Sequence, residues 1–401
     1  MGQPAVEERI ECRICGAKVH SIQLHLRDDH PEFPGGDPVA KLAEYQRQYP
    51  DAPVLSEAAK RKIAERKAVE SKTTVHMAGA ATAVATMAVG GIERQAFHEV
   101  FGLGKVPAAL NGRGEAIPIS VLSKHGFADL VPAVDPNHVF DIELVKNCLM
   151  ATELNIPLYG WGHKGAGKTT TLEQICARTN RPMLRVQHTI NTEESHIIGQ
   201  WTVKGGETVF VPGPLALAMR NGWVYLADEY DYALPSVLSV YQPILEGKSL
   251  VIKEAMGTEW AIVQPHPQFR FMATGNTNGS GDETGLYQGT QIQNSANYDR
   301  FGVVVKVNYM PAELEEKVLQ QQAKITSGDA KKLVDFANRV REAYEGNKMS
   351  DTVSPRTLIY AAKLGIRRGS FRVGLALSFI NKLNKVDREV ADGLAQRVFG
   401  S

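Results

Sequence analysis

Residues 159–170, Tyr-Gly-Trp-Gly-His-Lys-Gly-Ala-Gly-Lys-Thr-Thr, constrain this chain more than any other stretch. From Gly162 to Thr169 they fit G-x-x-x-x-G-K-[ST], a spacing with a chemical reason. Glycines let successive backbone N–H groups converge on phosphate oxygens. A lysine at the place of Lys168 reaches the β- and γ-phosphates, and the Thr169 hydroxyl can ligate Mg²⁺. The helix opening there turns its positive end toward the anion. Gly162, His163, Lys164, Gly165, Ala166, Gly167, Lys168, Thr169 and Thr170 therefore form the candidate nucleotide loop. A strand-like "IPLYG" precedes it and a helix-like "TTTLEQICART" follows, as such a loop requires. A purely structural glycine turn would leave the Lys-Thr pair without a purpose.

Further short apolar runs, "MLRVQ", "WVYLAD", "FRFMAT" and "VVVKVNY", alternate with helix-like stretches. That alternation predicts an α/β fold, a mainly parallel sheet between helices. After Pro311 the pattern becomes helical, so a helical lid is expected over 311–401 and the α/β core over 97–310. A chain of 401 residues is long enough for two or three domains. Residues 1–50 read as a small module. Residues 51–96 read as a charged helix, "SEAAKRKIAERKAVESK", followed by the Ala/Gly linker "HMAGAATAVATMAVGGI". That run is too short and too poor in Leu and Ile to read as a membrane span. Lys and Arg number 45 against 44 Asp and Glu, so bulk charge demands neither nucleic acid nor membrane. Cys148 and Cys176 stand alone in apolar surroundings, as small core residues do. This cysteine usage and a polar N-terminus without a signal-peptide core suit a cytoplasmic protein.

After a phosphate loop, a carboxylate pair is needed at the end of another strand. "GWVYLADEYD" supplies Asp228, to hold Mg²⁺, and Glu229, to polarise the attacking water. Asp231 reads either as support for this pair or as a helix cap. Asn276, just beyond "FRFMAT", can orient that water against the γ-phosphate. Arg300 in "NYDRF" is a candidate arginine finger offered to a neighbour's nucleotide, its bland reading being an ion pair with Asp299. Arg356 in "SPRTL", early in a helix, can read the γ-phosphate from the lid. Lys168, Asp228, Glu229, Asn276, Arg300 and Arg356 are thus the candidate catalytic set.

The N-terminal module carries "CRICGAKVHSIQLHLRDDH", a C-x2-C-x9-H-x4-H arrangement. Cys12, Cys15, His25 and His30 offer two thiolates and two imidazoles, a donor set for tetrahedral Zn²⁺. The two histidines are read as one helical turn apart, with His20 as an off-face alternative. A redox role for the C-x-x-C lacks the surrounding βαβ unit it would need. The module is similar to the zinc finger of Ros/MucR-type bacterial regulators.

The order of motifs from Gly162 to Arg356 resembles the AAA+ ATPases. "GPLALAMRNGWVYLADEYD", "FMATGNTNGSGDETGLYQGT" and "SANYDRFGVVVKVNYMP" resemble the MoxR branch, and most closely the AAA+ subunits of aerobic cobaltochelatases. The resemblance covers roughly 97–320. It implies ATP and Mg²⁺ as ligands, a ring of commonly six copies with ATP at the subunit interfaces, and a von Willebrand A-domain partner remodelled at the expense of ATP. It also implies two inserted β-hairpins, matched by "HIIGQWTVKGGETVFVPGPLA" and "KSLVIKEAMGTEWAIVQPHP". Trp201, Lys204 and Phe210 of the first are candidates for touching a substrate, or else for packing the hairpin. Two other functions stay open: an ATPase subunit of a cobalt or magnesium chelatase, and a DNA-associated ATPase addressed by its zinc finger. Acids and bases nearly balance over residues 1–72, which favours protein docking over DNA reading by the finger.

Overall fold

The computed structural model describes residues 9–34, 37–60 and 91–400. Contacts divide the chain into two units, 1–86 and 87–401. Most of the expected charged helix and Ala/Gly linker lies at 61–90, outside the described residues.

In the first unit β1 (Ile10–Glu11) pairs antiparallel with β2 (Lys18–Val19) around a turn containing Gly16. Helix α1 (Ile22–Asp28) starts at Ser21, whose hydroxyl accepts the Leu24 N–H, and α2 (Pro38–Gln48) starts at Asp37, whose carboxylate accepts from Val39 and Ala40. Such caps satisfy helix N–H groups that have no partner within the helix. Among the described residues its buried apolar core is Cys12, Ile22, Leu26 and Tyr45. A core that small needs a staple such as a metal.

The second unit opens with β3 (Ile92–Ala96), paired antiparallel with β4 (Pro118–Leu122). Regular structure therefore begins before residue 97, within the stretch read as linker. A partner strand more than twenty residues away leaves no local mark on the sequence. Helix α3 (Ile142–Leu154), capped by Asp141, leads into β5 (Leu158–Trp161), the glycine loop and α4 (Lys168–Arg178). Then come β6 (Met183–Gln187), the hairpin β7 (Gly199–Lys204) and β8 (Glu207–Pro212), α5 (Pro214–Asn221) and β9 (Val224–Asp228). The short pair β10 (Leu250–Val251) and β11 (Ile262–Val263) precedes β12 (Arg270–Gly275) and β13 (Val303–Lys306).

Strands β13-β5-β12-β9-β6 form one parallel sheet in that order. These are the five strands the apolar runs predicted. Strands β9 and β12 are buried along their whole length, which explains why they read as continuous apolar runs. The register brings Gln187 opposite Asp228 and Gly275 opposite Trp161, so the carboxyl ends of the strands open along one edge. In open α/β sheets that edge is where ligands bind. Both expected hairpins are present, β7–β8 and β10–β11. Gly205 and Gly206 turn the first with positive φ, as a tight two-residue connection requires.

The lid comprises α6 (Ala312–Ala323), α7 (Ser327–Glu345), α8 (Pro355–Arg368), α9 (Phe371–Ser378) and α10 (Lys385–Phe399). It has its own apolar core, with Leu319, Leu333, Phe336, Val340, Leu358 and Leu375 fully buried. The buried Arg341 grips Glu315 with two hydrogen bonds of 2.7 Å, tying α7 to α6. Among the described residues no helix is long and apolar enough to cross a membrane.

Candidate active site

The loop between β5 and α4 needs its glycines for distinct reasons. Gly162 has φ +150°, and a Cβ there would collide with the backbone carbonyl of Val307. Gly165 has φ +69° and lies so close to Ser354 of the lid that a Cβ would sit 2.7 Å from the serine Cβ. Gly167, at φ +93°, makes the left-handed step that starts α4.

Lys168 Nζ donates to Gly162 O (2.6 Å), His163 O (3.1 Å) and Asn276 Oδ1 (3.1 Å). Burial lowers its pKa to about 8, against the pull of Glu229, Asp231 and Asp228. Thr169 Oγ1 donates to Asp228 Oδ1 at 2.8 Å, and the Thr274 hydroxyl donates to the same oxygen. Asp228 is 2% exposed. Glu229 takes the left-handed backbone at φ +55°, uncommon for a residue with a side chain. Its Oε2 accepts from Asn276 Nδ2 at 2.6 Å, and burial raises its pKa above the ordinary carboxylate value. Asn276 thus joins Lys168 to Glu229.

Asp231 is fully buried and supports that junction. Its Oδ2 accepts from the backbone N–H of Asn276 and Thr277 (both 2.8 Å) and from Thr277 Oγ1 (2.9 Å). Of the two readings of Asp231, support for the site is the observed one; it caps no helix.

A cleft of about 670 Å³ gathers Lys164 to Thr170, Glu229, Asn276 and Arg356. Arg356 enters from the first turn of α8, behind Pro355 and the cap Ser354. Gly162 and His163 line an adjoining smaller cavity with Asn276. Asp228 lies beneath the cleft, reached through Thr169. Arg300 stands apart from it. Its partner is Glu246, with Nε to Oε1 at 2.6 Å, rather than the neighbouring Asp299 that the sequence suggested. The pairing is tertiary, so sequence adjacency misled. Trp201 and Phe210 face each other across the first hairpin, ring centroids 5.8 Å apart, and Trp201 Nε1 donates to Glu254 O in the second. Both packing and exposure apply to Trp201, which is 44% exposed, while Lys204 is exposed at the hairpin tip.

Three residues escaped the sequence reading. Tyr287 bonds the nucleotide loop twice through its hydroxyl, to His163 Nδ1 (2.9 Å) and from Lys164 N–H (3.1 Å). Asp282 holds the Tyr287 loop by accepting the Tyr287 N–H at 2.8 Å. Arg185 on β6 reaches Asp228 Oδ2 with Nε at 2.7 Å. The only signal was a single charge inside the apolar run "MLRVQ".

In the first unit the donor atoms of Cys12, Cys15, His25 and His30 lie within 4.8 Å of one another. Cys15 Sγ is 3.1 Å from His25 Nε2, whose opposite Nδ1 is held by Asp29 Oδ2 at 2.7 Å. His30 Nε2 is buried without a hydrogen-bond partner. Two soft sulfurs, two imidazoles and an orphaned nitrogen aimed into the cluster fit Zn²⁺. The two histidines do not share a helix, contrary to expectation. α1 ends at Asp28; a five-residue step within a helix would instead point His30 about 140° away from His25. His20 bonds Ser56 Oγ at 2.9 Å and is not among the four.

Residues 161–301 match the AAA domain (dynein-related subfamily), and residues 315–397 match the CbbQ/NirQ/NorQ C-terminal domain. The aerobic cobaltochelatase subunit CobS of Sinorhizobium sp. is 33% identical over 281 residues, 67% of this chain and 83% of that protein. Protein NorQ of Paracoccus denitrificans is 26% identical over 249 residues, 61% of this chain and 87% of its own length. The Thermotoga maritima RuvB Holliday junction branch migration motor superposes with a TM-score of 0.38 at 15% identity, over 67% of this chain and 72% of its own.

Proposed function

This chain belongs to the MoxR-type AAA+ ATPases and hydrolyses ATP, and from that premise we propose that it assembles as a ring of six copies in the cytoplasm and remodels a partner protein. The observation that carries the catalytic part is the chain Lys168–Asn276–Glu229 set over the Thr169–Asp228 pair. Lys168 binds the β- and γ-phosphates. Glu229, held by Asn276, takes a proton from the attacking water. Arg356 meets the γ-phosphate from the lid. Thr169 and Asp228 offer adjacent hard oxygens that would hold Mg²⁺, which when bound neutralises phosphate charge. The position of Arg300, outside its own cleft, supports its action on a neighbour's nucleotide. The resemblance to the MoxR branch supports a von Willebrand A-domain partner. The cluster of Cys12, Cys15, His25 and His30 supports a structural Zn²⁺ in a docking module.

A second reading, the ATPase subunit of a cobalt or magnesium chelatase, is favoured by the identity to CobS. One experiment separates the readings. Glu229→Gln is expected to bind ATP but release no phosphate, trapping the assembled state. Sustained phosphate release by that variant would remove Glu229 as the base. A pull-down with the trapped protein should recover a von Willebrand A-domain protein. Co-recovery of tetrapyrrole-binding subunits would favour the chelatase. Recovery of nucleic acid alone would replace both with a DNA-associated ATPase addressed by the finger.

A further inference from the structure

Asp228 already has a cation beside it. Its Oδ1 receives the hydroxyls of Thr169 and Thr274. Its Oδ2 accepts a hydrogen bond from Arg185 Nε at 2.7 Å, and Nη2 of the same guanidinium lies 2.5 Å away as an ion-pair contact. The Asp228 side chain is 3% exposed and the Arg185 side chain 47%. Arg185 comes from the edge strand β6, and its Nη1 reaches Glu173 Oε1 on α4 at 3.2 Å. A guanidinium does not give up its proton in a protein. A carboxylate buried this deeply would be costly without a partner, and Arg185 supplies it with a permanent charge.

We propose that Arg185 is the resident counter-cation of the metal position. It satisfies Asp228 in the nucleotide-free protein, and its charge keeps a divalent cation off Thr169 and Asp228 until a nucleoside triphosphate arrives. The inference rests on the reading that Thr169 and Asp228 hold the metal. Repulsion between guanidinium and a divalent ion across a few ångströms of partly buried space is strong. The triphosphate's own negative charge offsets it, so metal and nucleotide enter as a unit. The half-exposed Arg185 side chain, at the sheet edge, has room to move aside. Arg185 acts through Asp228 and is a positioning residue, not a catalytic one.

The test is a titration of the full-length protein with Mn²⁺ alone, free Mn²⁺ being followed by electron paramagnetic resonance. Asp228→Asn serves as the blank, which subtracts binding at the N-terminal cluster. The wild-type protein is expected to show no Asp228-dependent Mn²⁺ binding without nucleotide. Arg185→Gln is expected to gain it, with affinity raised roughly tenfold or more. Arg185→Lys, which keeps the charge, is expected to behave as wild type. A merely structural arginine would give loss rather than gain. The proposal is overturned if Arg185→Gln gains nothing, or if Arg185→Lys gains as much. Tight Asp228-dependent Mn²⁺ binding by the nucleotide-free wild type also overturns it, and that arm needs no folded Arg185 variant. Repeating the wild-type and Asp228→Asn titrations with a non-hydrolysable ATP analogue tests the underlying metal assignment separately.

Discussion

Asn276 donates its side-chain amide to Glu229 Oε2 across 2.6 Å. The other end of the same amide accepts from Lys168 Nζ, so one side chain spaces Lys168 from Glu229, the proposed phosphate-binding cation and base. Replacing Asn276 with Ala should leave the loop able to bind nucleotide while freeing Glu229. Turnover is expected to drop by about 10²-fold, with nucleotide affinity nearly unchanged. Phosphate release and binding of a fluorescent ATP analogue, measured side by side, check this split.

Tyr287 holds the first half of the loop through one hydroxyl oxygen. Tyr287→Phe removes that oxygen and keeps the ring. Loss of such bonds is worth about 1 kcal/mol, so nucleotide affinity should weaken by about fivefold. An unchanged affinity would mean that the loop keeps its shape without this brace.

The buried ion pair of Arg341 and Glu315 ties two lid helices together. Arg341 also lies over the Tyr309 ring, 4.1 Å from its centroid, and Tyr309 stacks on His163 of the nucleotide loop. Glu315→Leu would leave the guanidinium buried and unpaired. A loss of about 3–5 kcal/mol in stability is expected, read from the urea midpoint.

Zinc content should follow the four-residue cluster and ignore its neighbour. Cys12→Ser is expected to lose bound zinc, measured by metal analysis of the purified protein. His20→Ala should keep it, since His20 bonds Ser56 instead. Retention of a full equivalent by Cys12→Ser would refute the finger.

His138 gives a pH signature. Burial lowers its pKa from 6.5 to about 4, and its Nε2 has no hydrogen-bond partner. Between those values the unfolded chain binds more protons than the folded one. The contribution of His138 to stability is therefore complete above about pH 6.5 and lost progressively as pH falls toward 4. Melting temperatures from pH 7.5 to 4.5 should fall less steeply for His138→Gln than for the wild type.

The parts of this protein readable from its sequence are those in which chemistry is local. The run from Gly162 to Thr169 names a phosphate loop because its amides, lysine and hydroxyl are neighbours along the chain. Asp228 and Glu229 could be read because they end and follow one apolar run, β9, whose burial on both faces gives it a continuous apolar pattern. Cys12 and Cys15 pointed to the candidate zinc ligands in the same way. The tertiary structure alone decided the rest, because each remaining fact joins residues distant in sequence. Arg185 meets Asp228 across 43 residues only because β6 lies beside β9 in a parallel sheet. Tyr287 meets Lys164 across 123 residues through a loop that folds back over the site. Arg300 turns to Glu246 rather than to the aspartate next to it. His30 reaches the Cys12–Cys15–His25 cluster because α1 stops at Asp28, which no residue spacing by itself could require.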